Sequence, residues 1–119
     1  MRTLIIIPVL FFSLFLGASS YSADFNKGMT AAQSGDFATA LKEWKPLAEQ
    51  GDADAQSNLA NRYFYGEGVI QDIVYAHMWK NIAASNGYEP AKEELKIIEK
   101  KMTSSDISEA QRFARECVK

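Results

Sequence analysis

From Asp24 onward, apolar residues recur at three- and four-residue spacing in six stretches, each closed by short polar punctuation. That period belongs to helices with one buried face, and it predicts helices near residues 24–34, 37–49, 53–65, 72–86, 90–102 and 105–118. Gly35-Asp36 and Gly51-Asp52 each pair a residue suited to the left-handed end of one helix with a side chain able to cap the next, and Gly87 marks a further stop. Outside the first residues no run alternates β-branched and polar positions, so no strand is expected. Pro46 falls inside the second expected helix, where it removes one backbone bond and crowds the carbonyl of Lys42, so a kink is expected there. Pro90 suits the first turn of the fifth.

The helices repeat. At an offset of 36, Asp36 matches Asp72, Ala40 matches Ala76, Ala48 matches Ala84, Gly51 matches Gly87, Ala55 matches Ala91 and Leu59 matches Leu95. An offset of 34 continues the series from Asp72 to Asp106 and from Ala76 to Ala110. A period in the mid-thirties with two helices per unit is the signature of an α-solenoid. Small residues such as Ala76, Ala83 and Ala84 let backbones approach, while Leu59, Tyr63 and Phe64 supply larger knobs. Asp36, Asp72 and Asp106 are expected to accept bonds from free amides at helix starts.

The first residues follow another rule. Arg2 precedes an apolar run from Leu4 to Leu16 broken only by Pro8 and Ser13, and small residues follow. This layout is that of a secretory signal peptide, and the run falls short of the ~20 residues that a membrane-spanning helix needs. Residues 1–23 are therefore expected to be a cleaved leader, cut after Ser20, Ser22 or Ala23, leaving a domain over 24–119 with no membrane span. The whole chain carries a net charge of −2, and losing Arg2 makes the remainder one unit more negative. A mildly acidic surface of mixed sign argues against nucleic acid as a partner. A single cysteine, Cys117, leaves no internal disulfide framework, and it is expected either to be inert or to pair between chains.

The stretch YFYGEGVIQD, residues 63–72, holds two glycines that a phosphate could use. A Walker loop would need GxxxxGK, the dinucleotide fingerprint would need a third glycine where Gln71 stands, and both need a preceding strand. The stretch is better read as a turn between helices. In that turn Gly66 ends one helix, Gly68 permits positive φ, Val69 fills a gap and Asp72 caps the next helix.

Ala55, Leu59, Tyr63, Gly66, Gly68, Val69, Asp72, Ala76, Trp79, Ala83, Ala84, Gly87 and Ala91 stand at the spacing of a Sel-1-like repeat, a relative of the tetratricopeptide repeat. One nearly complete unit over about 53–88 resembles that family, with Ala60 where a glycine is usual, and residues on either side look like partial units. The resemblance implies an all-α, right-handed superhelical α-solenoid of about three antiparallel hairpins. It also implies a non-enzymatic binding or scaffold role in the bacterial periplasm or outside the cell.

Candidate chemistry is sparse. His77 is the one histidine and has no second imidazole with which to share a metal, so neither a metal nor another cofactor is expected. Asp52 with Asp54, and Glu93 with Glu94, point in different directions on a helix and read as solvated or capping groups. No SxxK motif and no nucleophile with a nearby base is present. The aromatic residues carry more information. Tyr63, Phe64 and Tyr65 are consecutive and cannot all face inward at 100° per residue, while Tyr75 and Trp79 share a face at i, i+4. Tyr65, Tyr75 and Trp79 are therefore the candidate anchors for a protein or peptide partner. Leu59, Tyr63, Gly66, Gly68, Val69, Asp72, Ala76, Ala83, Ala84, Gly87 and Ala91 are expected to build the repeat. A groove this short predicts weak, transient binding unless two copies pair as a homodimer. The alternative from a different class is a cell-envelope enzyme or a β-lactam- or peptidoglycan-binding protein, a role linked to cysteine-rich exported members of the same repeat group.

Overall fold

Asp24 opens the first described helix by turning its carboxylate onto the amides of Asn26 and Lys27, and the same device starts three of the next four helices along the chain. Asp36 accepts from Thr39, Asp52 from Ala55 and Asp72 from Tyr75, each satisfying a backbone donor that has no partner within its own helix. A computed structural model of the chain describes residues 22–117, and the expected leader lies almost wholly outside them.

The described residues are all-helical, with no strand: α1 Phe25–Gln33, α2 Phe37–Glu49, α3 Ala53–Tyr65, α4 Ile73–Ser85, α5 Ala91–Glu99 and α6 Ser104–Cys117. None of these helices is long and apolar enough to cross a membrane. α2 runs on through Pro46. α5 is shorter than its periodicity predicts, because Lys101 and Met102 bond back to Ile98 and Glu99 and tighten the chain out of the helix. α6 starts at Ser104 rather than 105, and Asp106 accepts from a free amide at that start as expected, the amide being that of Thr103. Thr103 Oγ1 accepts from Asp106 N while Asp106 Oδ2 accepts from Thr103 N, a reciprocal pair that closes two orphan donors at once.

Each helix from α1 to α4 packs against its successor, and α6 packs on α4, so α4 carries both α5 and α6. Two apolar clusters result. The first joins Ala31, Ala40, Leu41, Trp44, Ala48, Ala55 and Leu59 from α1, α2 and α3; the second joins Met78, Ile82 and Ala114 from α4 and α6. Trp79 packs against both. Residues related by the offset of 36 do the same work in each unit: Ala40 and Ala76 are wholly buried, as are Ala55 and Ala91, and Gly51 and Gly87 take φ of 100° and 95°.

Two glycines are required by close approach. A Cβ on Gly28 would meet Trp44 Nε1 at 2.4 Å, so the bare backbone of α1 is what lets the indole lie beneath it and donate to the carbonyl of Phe25. Gly68, at φ 77°, would bring a Cβ within 2.8 Å of Phe37 Cβ and 2.9 Å of Leu41 Cδ1. The GEG turn thus lies against the start of α2 and has no room for a phosphate at Gly68, while Val69 packs on the first cluster. Gly68→Ala combines overpacking with a strained backbone and is expected to cost about 2–4 kcal/mol. Gly35→Ala, where φ is 80° but nothing lies within 4 Å, should cost only about 1–2 kcal/mol. Urea unfolding of the two variants checks the difference.

Candidate functional site

α3 and α5 both pack on α4, and a hollow of about 220 Å³ opens between them. Its walls are Phe64 and Tyr65 at the end of α3 and Ile97 and Ile98 on α5, and its polar side is Asn61, Lys80 and Glu94. Tyr65 is 64% exposed and Ile97 57% exposed, which leaves apolar surface open to solvent on both rims. Lys101 reaches across Phe64, with its ammonium 5.5 Å from the ring centroid.

Lys80 is the group around which the hollow is organised. Its side chain is 1% exposed, and Nζ donates to Ser57 Oγ at 2.7 Å, Asn61 Oδ1 at 2.9 Å and Ser57 O at 3.2 Å, and pairs with Glu94 Oε2. Burial pushes its pKa below the ordinary lysine range, and the adjacent Glu94 carboxylate opposes that fall. Ser57 and Lys80 stand at the distance of a nucleophile and its base, but the serine is itself 1% exposed and so shut off from any substrate. The arrangement ties α3, α4 and α5 together.

A second polar link joins α4 to α5: buried His77 places Nε2 2.9 Å from Glu99 Oε1, while its Nδ1 has no hydrogen-bond partner among the described residues. Among the described residues no three His, Cys, Asp or Glu side chains lie close enough to hold a metal.

Of the three aromatic candidates, Tyr75 and Trp79 pack against each other and Tyr65 stands apart. Tyr65 lines the α3–α5 hollow and stacks edge-on against Phe64 at 4.9 Å. Tyr75 is half-buried between Tyr63, 4.5 Å away, and Trp79, 6.2 Å away, both edge-on. Burial, with the nearby Tyr75 and Asp72 adding to it, raises the pKa of the Tyr63 phenol. Trp79 spans the two apolar clusters and lines a separate hollow of about 330 Å³. Lys80, Glu94 and Ile97 were missed from sequence because each reads as an ordinary residue of an amphipathic helix. One signal was present: Lys80 stands 36 residues after Trp44, so the repeat offset assigns a lysine to a position that is wholly buried in the preceding unit.

No family model matches the chain. Over 70 residues, 59% of its length, it is 33% identical to a protein of Rhizobium meliloti (strain 1021) named as an exopolysaccharide production negative regulator. The matched part is 26% of that protein, so the chain corresponds to about a quarter of its relative.

Removing one partner from the ammonium exposes the cost of burying it. Glu94→Gln is expected to destabilise by about 1–3 kcal/mol, below the value for a wholly buried pair because Glu94 is 32% exposed, whereas Lys80→Met should cost less. The sign with pH follows from the lowered pKa. Folded Lys80 loses its proton before the unfolded chain does, so the unfolded state binds more protons in the window below the ordinary lysine value and this group's contribution to stability rises with pH there. Urea unfolding of wild type and Lys80→Met across the alkaline range should show their difference moving in favour of wild type.

Proposed function

We propose that this protein is an exported, non-enzymatic interaction module of Sel-1-like repeats, with its hairpins stacked as a right-handed solenoid, and that the α3–α5 hollow receives an apolar side chain of a protein partner. The observation that carries the reading is the coincidence of exposed apolar surface with concavity. Of the three large hydrophobic residues most exposed among those described, Tyr65 and Ile97 flank this one hollow, and only Ile70 lies elsewhere. A tyrosine anchor beside a side-chain-sized recess, with polar groups already satisfied beneath it, is the usual anatomy of a binding hot spot.

Further support comes from the repeat pattern, the apolar leader that routes such a chain out of the cytoplasm, and the likeness to a segment of a protein named as a regulator. A regulator can act through contact alone, and a hollow of about 220 Å³ suits one inserted side chain better than a whole small-molecule substrate.

A photo-crosslinking residue placed at Ile97 tests the reading, with the same residue at Ile70, which is 91% exposed, as the control. In the native cells position 97 should capture a discrete protein that position 70 does not, and Tyr65→Ala should weaken that contact by at least about fivefold without lowering the melting temperature. Equal capture at both positions, or none at 97, would overturn it.

A further inference from the structure

The second hollow shares no lining residue with the first, and its chemistry differs. Ala48 and Glu49 come from the last turn of α2, Ile82 and Asn86 from the last turn and C-cap of α4, and Cys117 closes α6. The last turns of α2, α4 and α6 therefore meet at this hollow, and Gly51 and Gln56, from the loop and first turn of α3, complete its lining, with Gln56 Nε2 donating to Ala48 O at 2.9 Å. Among the described residues Glu49 is the one charged side chain in the lining, and it makes no hydrogen bond or ion pair with them. Trp79 forms the aromatic wall, with Ile82 and Ala48 supplying apolar surface beside it.

We propose that this hollow is a binding site for an organic ammonium cation: an alkylated amine whose carbon shell meets Trp79 and Ile82 and whose positive charge meets the carboxylate of Glu49. Such a cation fits because the site offers negative potential and apolar surface together. A hydrated metal ion would leave the apolar wall unused and find only one carboxylate. An anion would meet the carboxylate of Glu49 and find no cationic side chain among the described lining residues. An indole is the strongest aromatic partner for a cation, and a quaternary ammonium loses little hydration on entering. The volume of about 330 Å³ admits a tetraalkylammonium head with room for a substituent. The site is independent of the protein-binding hollow, so either can fail without the other.

The test is a titration of the full folded chain with tetramethylammonium chloride at constant ionic strength, followed by the nitrogen–proton signals of the two indoles and of the Asn86 amide. Trp79→Phe identifies which indole signal is which. The expected result is a saturable shift of Trp79 and Asn86 while Trp44, which is wholly buried elsewhere, stays still. Glu49→Gln, an exposed position whose loss leaves the fold intact, should weaken binding by roughly three- to fivefold. tert-Butanol, a neutral molecule of similar shape, should give no saturable shift. The absence of saturation with tetramethylammonium, an equal response to tert-butanol, or unchanged affinity in Glu49→Gln would each overturn the proposal.

Discussion

Taking a lysine amine out of water costs several kcal/mol unless protein oxygens replace its hydration, and the centre of this fold meets that condition at Lys80. Its three N–H groups face Ser57 O, Ser57 Oγ, Asn61 Oδ1 and Glu94, so the charge is shared by α3, α4 and α5. The position of α5 depends on that exchange. Its wholly or nearly buried apolar residues are few, Ala91 and Ile98, and its attachment to α4 rests on the Lys80–Glu94 and His77–Glu99 links as much as on apolar burial.

The repeat makes the consequence visible. Trp44 in the first unit and Lys80 in the second stand 36 residues apart and are both buried on the second helix of their pair. The indole is broad, fills the space beneath Gly28 and bonds to Phe25. The lysine is a narrow stem ending in a charge, and it draws polar partners inward instead of filling volume. A closed core at one position and a lined hollow at its equivalent follow from that single difference in side-chain shape and charge.

The two hollows lie around α4, which among the described helices packs against three neighbours, α3, α5 and α6. Lys80 contributes to one and Trp79 to the other, and successive helix residues point about 100° apart. Adjacent residues of one helix can thus serve two surfaces with opposite preferences: an apolar recess over a neutralised charge pair, and an aromatic recess with one unmatched carboxylate. Tyr75, held between Tyr63 and Trp79, stiffens the seam between the two apolar clusters and is not free to reach a partner as Tyr65 is.

Much of the architecture was legible in the chain because it rests on local physics. Six helices, their Asp caps at 36, 52 and 72, their glycine stops and the equivalence of units 36 residues apart all follow from periodicity, backbone conformation and hydrogen-bond satisfaction within a few residues. The ends of α5 and α6 were less legible, since a tightened turn and a Thr103–Asp106 reciprocal cap compete closely with helix continuation. Which surfaces stand open was decided only by tertiary structure. Whether Lys80 is solvated or enclosed depends on Ser57 and Asn61, 23 and 19 residues away. Whether Glu49 meets solvent or the ends of α4 and α6 depends on helices that follow it in the chain. Helical spacing determines which residues share a face. Long-range packing determines what that face meets, because exposure is a property of the neighbours and not of the residue.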